Sequence, residues 1–191
     1  MKKNLITAFL MTIATTILLG LIYPLAVTGV AQLVFRDKAN GQIVRRNGEV
    51  IGSRIIAQPF TSGKYFHPRP SFAGANGYDA ANSGGTNYAP TNQKLIDRVK
   101  ADAASLQAEN PGQPIPVDLI TMSASGLDPE ISPAAAEFQV PRVARERGLA
   151  ESTLRQLVEQ HTEQRDLGLF GEPRVNVLEL NLALDEVSAK R

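Results

Sequence analysis

Cysteine is absent from the 191 residues, which excludes structural disulfides, thiolate metal sites and a cysteine nucleophile. Histidine is scarce. His67 and His161 stand 94 positions apart without H-x-H or H-x-x-x-H spacing, so no histidine-rich metal centre is expected. No G-x-x-x-x-G-K-[ST] run occurs, and Ser62-Gly63-Lys64-Tyr65 lacks the upstream glycine that a phosphate-cradling loop needs. An excess of one charge sign is missing too: 20 Lys+Arg face 19 Asp+Glu, a net charge of +1, which excludes a nucleic-acid partner held by bulk charge.

The largest absence is local. From Asn4 to Phe35 there are 32 residues without one Asp, Glu, Lys or Arg, whereas Arg36 to Arg191 carry 18 basic and 19 acidic residues. A bilayer core about 30 Å thick needs roughly 20 apolar residues as a helix, so the run is long enough to span. Lys2 and Lys3 would also open a secretory signal, and Gly29 and Ala31 resemble cleavage-site residues, but a signal's apolar stretch is only about 7 to 15 residues. A continuous helix of this length reaches about 48 Å at roughly 1.5 Å per residue, so it must tilt, kink or emerge, and Pro24 predicts a bend near Gly20 to Pro24. Ala8, Thr12, Thr16 and Gly20 recur every four residues on one face, the small-residue pattern that lets a partner helix approach; threonine and glycine are also ordinary in membrane helices. Orientation by charge is nearly balanced: Lys2 and Lys3 flank one end, and Arg36, Lys38, Arg45 and Arg46 the other. That count slightly favours a cytoplasmic domain.

Beyond the span, Asn47-Gly48 between β-branched pairs predicts a two-residue hairpin over Gln42 to Gly52. Gln58 to Asn92 is crowded with Gly, Pro, Asn and Ser yet holds six aromatic residues, which reads as an ordered long loop of functional or interface character. Thr91 is placed to cap a helix to about Asn110, Pro116 to Thr121 reads as a short strand, and Ser132-Pro133 opens a short helix ending before Pro141. A further helical turn closes at Gly148, and Ser152 to His161 is amphipathic. In Val175 to Leu184 the leucines alternate like a strand, yet Asn176 suits a helix cap, and helix is preferred. The fold class is therefore α+β: a short tail (1–4), a transmembrane helix and its extension (5–35), and one soluble α+β domain with a small sheet (36–191).

A hydrolase reading nominates Ser83, His161 and Asp79, but no G-x-S-x-G turn is present. His67 lies in a proline-fixed aromatic segment and suits a structural donor. The turn-rich loop Tyr78 to Tyr88 offers side chains that bond their own backbone, with nothing basic interleaved to draw an anion. Gln139, polar between Phe138 and Val140-Pro141, either satisfies buried backbone groups or contacts a ligand, and the structural role is preferred.

Several segments, in order over nearly the whole chain, resemble the C subunit family of the Kdp potassium-transporting ATPase (KdpC). They are Tyr23-Pro24-Leu25 in the span, Tyr65-Phe66-His67-Pro68-Arg69-Pro70-Ser71, Ala81-Asn82-Ser83-Gly84-Gly85-Thr86-Asn87, Ser123-Ala124-Ser125-Gly126-Leu127-Asp128-Pro129, Gln139-Val140-Pro141-Arg142-Val143-Ala144 and Val175-Asn176-Val177-Leu178. The resemblance implies a non-catalytic, single-pass subunit of a bacterial inner-membrane complex that takes up potassium with high affinity at the expense of ATP. Its implied partners are the KdpA, KdpB and KdpF subunits and membrane lipid. It implies a catalytic chaperone that raises the ATP affinity of the P-type KdpB subunit, with the glutamine matching Gln139 touching the nucleotide. No firmly bound cofactor is expected, and ATP is reached only through the complex. A D-K-T-G-T phosphorylation motif is missing, so this chain is not itself the pump. The family's domain is periplasmic and its N-terminus cytoplasmic, whereas ATP is cytoplasmic. That favours a periplasmic cap or stabiliser, with the stripe Ala8, Thr12, Thr16 and Gly20 gripping a partner helix. The contrasting expectation is an independently acting, membrane-anchored periplasmic enzyme.

Overall fold

The computed structural model describes residues 1–189. The chain forms two compact units, Met1–Ile43 and the domain from Val44 onward.

The first unit is dominated by one helical run, Lys2–Val34, of 33 residues and mean hydropathy 2.3, with none of its most apolar stretch buried inside the protein. It comprises α1 (Lys2–Thr15), a π-helical segment (Thr16–Ile22) and α2 (Tyr23–Val34). The irregularity expected at Gly20 to Pro24 is a widened turn rather than a break: the Tyr23 N–H reaches the Leu18 carbonyl, five residues back. Pro24 supplies the reason, because it has no N–H to give the carbonyl four residues behind it. Threonine hydroxyls bond within the helix, Thr12 Oγ1 to the Ala8 carbonyl at 2.9 Å and Thr15 Oγ1 to Met11 at 2.8 Å, leaving the exterior apolar. A short α3 (Arg36–Ala39) follows.

The expected hairpin is present as β1 (Ile43–Arg46) and β2 (Glu49–Ser53). Asn47 at φ +53° and Gly48 at φ +85° supply the two left-handed residues that its turn demands. From there to Asn92 the chain has no helix or strand, as its composition predicts. α4 (Gln93–Glu109) is capped by Asn92, whose side chain accepts from the Lys94 N–H at 2.9 Å; the cap is one residue later than the expected Thr91.

Two expectations for the middle of the chain fail. Val117–Leu119 is a 3-10 turn, not a strand over Pro116 to Thr121, because the Asp118 carboxylate folds over to accept the Ser132 N–H at 2.7 Å. The helix at Ser132 does not stop before Pro141: α5 runs Pro133–Arg147 with Pro141 inside. Residues on both sides of that proline, from Ala135 to Ala144, are buried in the core, so tertiary burial outweighs the lost backbone bond. Ser132 caps α5 through a 3.0 Å bond from the Ala135 N–H, and Gly148 at φ +64° ends it. α6 (Glu151–Gln160) follows.

A second sheet, not foreseen, consists of β3 (Glu130–Ile131), β4 (Thr162–Glu163) and β5 (Arg174–Asn176), all antiparallel with β5 in the middle. Asn176 then caps α7 (Val177–Ala189) by accepting from the Glu179 N–H at 3.1 Å, so the tail is a helix preceded by a three-residue strand. Phe66, Ile131, Phe138, Val140, Val143, Leu154, Val175, Leu180 and Leu184 form the heart of a single core in the domain. The α+β class and the apolar N-terminal helix are as expected.

Candidate functional site

Polar side chains converge on one segment of the long loop, Gly63 to His67. α5 and α7 each bury an apolar face against the core, and each carries an amide there: Gln139 is 2% exposed and Asn181 1%. An amide side chain offers two acceptor sites and two N–H donors. Gln139 uses all four, its Oε1 accepting from the His67 N–H and from Arg142 Nη2, both at 2.7 Å, and its Nε2 donating to the carbonyls of His67 at 3.1 Å and Ala135 at 3.2 Å. Asn181 grips the adjacent residue in the same way, accepting from the Phe66 N–H and donating to its carbonyl, both at 2.9 Å. The two amides thus stand where a neighbouring β-strand would.

Guanidinium groups complete the bracket. Arg142 donates to the carbonyls of Gly63 at 2.6 Å and Tyr65 at 2.9 Å and to the Glu109 carboxylate at 2.8 Å. Arg147 donates to the Lys64 carbonyl at 2.7 Å and to Asp185 at 2.8 Å, and lies 4.6 Å from the centre of the Tyr65 ring. Every carbonyl from Gly63 to His67 therefore accepts a bond from a side chain of α5 or α7. A loop segment without strand neighbours has no backbone partners for these groups, and where they are buried, as at Phe66, leaving one unpaired costs about 1 to 3 kcal/mol. The His67 ring donates to the Ser62 carbonyl at 3.0 Å, and burial, seconded by the Arg142 charge, lowers its pKa below the ordinary value.

Beside this bracket opens a groove of about 480 Å³, lined by His67, Tyr78, Arg98, Asp102, Glu109 and Arg142 among others. Its cations are paired, Arg98 with Asp102 at 2.6 Å and Arg142 with Glu109 at 2.8 Å, so it does not focus charge of either sign. The Tyr78 hydroxyl donates to the Arg69 carbonyl at 2.8 Å, and burial pushes its pKa up to about 12, which disfavours the phenolate near neutral pH. Chemically, the arrangement rigidifies a loop.

The other segments carrying the resemblance interlock beside it. Arg69 pairs with Asp128 at 2.9 Å, Ser71 Oγ donates to the Gly126 carbonyl, and the Gly84 N–H bonds the Ser125 carbonyl at 2.8 Å. Gly126 sits at φ +67°, and a Cβ there would lie 2.7 Å from the Gly84 carbonyl oxygen. The nominated triad is dispersed among separate tasks: Ser83 donates to the Ser125 carbonyl, Asp79 accepts from Asn82 and Ala81, and the His161 ring bonds the Leu157 carbonyl. Ala8 and Thr12 lie on α1, and Thr16 and Gly20 in the π-helical segment. Sequence reasoning singled out Gln139 but missed Asn181, Arg142 and Arg147. Asn181, a short amide set between Leu180 and Leu182, gives a weaker form of the same signal.

The chain matches the family described as KdpC: K+-transporting ATPase, c chain, over residues 5–186. It is 70% identical to the potassium-transporting ATPase KdpC subunit of Koribacter versatilis (strain Ellin345), over 97% of this chain and 95% of that one. Identity to the KdpC subunits of Rhodopseudomonas palustris (strain BisB18) and Methylobacterium nodulans (strain LMG 21967 / CNCM I-2342 / ORS 2060) is 55% and 53%, covering 97% and 100% of this chain and 98% and 100% of theirs.

Proposed function

Since the chain belongs to the KdpC family of potassium-transporting ATPase subunits, we propose that it is a non-catalytic accessory subunit of an ATP-driven, high-affinity potassium uptake complex. It sits in the bacterial inner membrane with its N-terminus cytoplasmic and its domain periplasmic, assembled with the KdpA, KdpB and KdpF subunits. Its work is to stabilise the assembly and to raise the ATP affinity of the P-type subunit, and the stripe Ala8, Thr12, Thr16 and Gly20 packs against a partner helix. The observation that carries this reading is the family match over residues 5–186, which takes in most of the apolar Lys2–Val34 helix and nearly all of the domain.

Gln139 supports an indirect route to ATP affinity. Its amide already makes four bonds to protein groups, so a nucleotide contact would have to break part of the bracket that holds His67. We therefore assign the effect on ATP to assembly, with Gln139 keeping the loop in shape. The test is the KM for ATP of the detergent-purified complex with and without this chain. A several-fold lower KM with the chain present is expected. An unchanged KM together with intact assembly in its absence would remove the role.

A further inference from the structure

The loop between β4 and β5 gathers three large apolar side chains in four residues: Leu167 is 93% exposed, Leu169 71% and Phe170 62%. The loop is closed upon itself. Asp166 and Phe170 form an antiparallel bridge, each N–H bonding the other's carbonyl at 2.8 and 2.9 Å, and the Gly168 N–H reaches the Arg165 carbonyl at 3.0 Å. Gly168 adopts φ +72° without difficulty, but Leu167 is held at φ +54°, a conformation unfavourable for a leucine. An unfavourable backbone in a self-bonded turn that leaves its apolar side chains in the open is what a preformed contact element looks like.

The neck of the loop is tied by ion pairs, Arg165 with Glu172, and Arg174 with Glu130 at 3.0 Å, Glu163 at 2.9 Å and Asp166 at 3.8 Å. Four carboxylates thus surround two guanidinium groups, so the apolar tip rises from an acidic collar. At its base a groove of about 670 Å³, lined by Val117, Ile131, Ala134 and Pro173 among others, continues the apolar surface, and Val117 is 66% exposed. An acidic collar is repelled by an anionic bilayer surface, whereas it complements a protein cleft with basic residues at its rim.

We infer that the Leu167 to Phe170 tip and the groove at its base are the docking surface of this domain for another subunit of the ATPase, one that presents an apolar cleft rimmed by Lys or Arg. The inference rests on the accessory-subunit reading above and adds the surface through which the domain engages.

The experiment uses the full chain co-expressed with the other subunits and purified in mild detergent. A photo-crosslinking residue replaces Leu169, with Gln156 on α6 as control position, and crosslinked products are identified by mass. In parallel, the triple variant Leu167→Ser, Leu169→Ser, Phe170→Ser is compared with wild type for recovery of the other subunits. Expected are a crosslink to one ATPase subunit from position 169 and not from 156, and at least a tenfold lower recovery with the triple variant. If the wild-type chain recovers no ATPase subunit, the accessory reading itself falls. If it does recover them but position 169 crosslinks only lipid, a second copy of this chain or nothing, or crosslinks a subunit equally with position 156, the docking surface alone is overturned. Full recovery with the triple variant overturns it as well. Should that variant melt early, the crosslink from the singly labelled chain decides.

Discussion

In the Lys2–Val34 run the backbone bonds to itself and none of its most apolar stretch is buried, whereas in the domain five consecutive carbonyls, Gly63 to His67, are satisfied by side chains reaching from distant helices. The anchor distributes its energetics over some thirty similar residues, each contributing a little through its fit to an apolar medium. The domain concentrates part of its stability in a handful of buried polar groups whose partners lie 72 and 115 residues away in sequence. Single substitutions should therefore be absorbed by the first region and amplified by the second.

The largest effect is expected at Gln139. Gln139→Leu leaves the His67 N–H and carbonyl and one Arg142 N–H unpaired in a buried setting, which should cost about 3 to 5 kcal/mol. Denaturant unfolding of the full chain in detergent, followed by domain fluorescence or circular dichroism, reads this directly. A loss under about 1 kcal/mol would mean that the bracket is ornamental. Next comes Gly126→Ala, which combines a positive φ with a Cβ 2.7 Å from the Gly84 oxygen; about 2 to 3 kcal/mol is expected by the same assay.

A smaller effect follows from His67. Because its folded pKa is lowered from the ordinary 6.5, the native state favours the neutral ring. Its contribution is complete above the ordinary value and is lost as pH falls from there through the lowered folded value. The unfolding midpoint of wild type should thus fall more steeply below pH 6.5 than that of His67→Gln. Equal slopes would show that the ring's burial is not felt. At the small end, Thr12→Leu in the anchor should change domain stability by less than about 0.5 kcal/mol while reducing co-purification with other subunits. A domain destabilised by that change would erase the contrast between the two regions.

The helical run Lys2–Val34 and its irregular turn were readable in sequence, because an uncharged run and one proline determine them with no long-range information. The same holds for the Asn47-Gly48 hairpin and the caps at Ser132, Gly148 and Asn176, where local chemistry decides. Reading failed where distant partners decide. Strands of two or three residues such as Glu130–Ile131 are too short to show a period. α5 continues through Pro141 only because the core needs residues on both sides, and Val117–Leu119 turns because Asp118 is claimed by Ser132. At the bracket, Gln139 was conspicuous between apolar neighbours, whereas Asn181 lay in a leucine run whose alternation left strand and helix open, so its inward face was not assignable.

The central claim, that this chain acts as one part of a membrane complex, is tested most directly by purifying the tagged full-length protein from its native membranes in mild detergent and identifying what elutes with it. Co-elution in constant ratio with an ATP-hydrolysing P-type subunit and an ion-carrying subunit is the predicted result. A chain that elutes alone and shows an activity of its own would contradict the account.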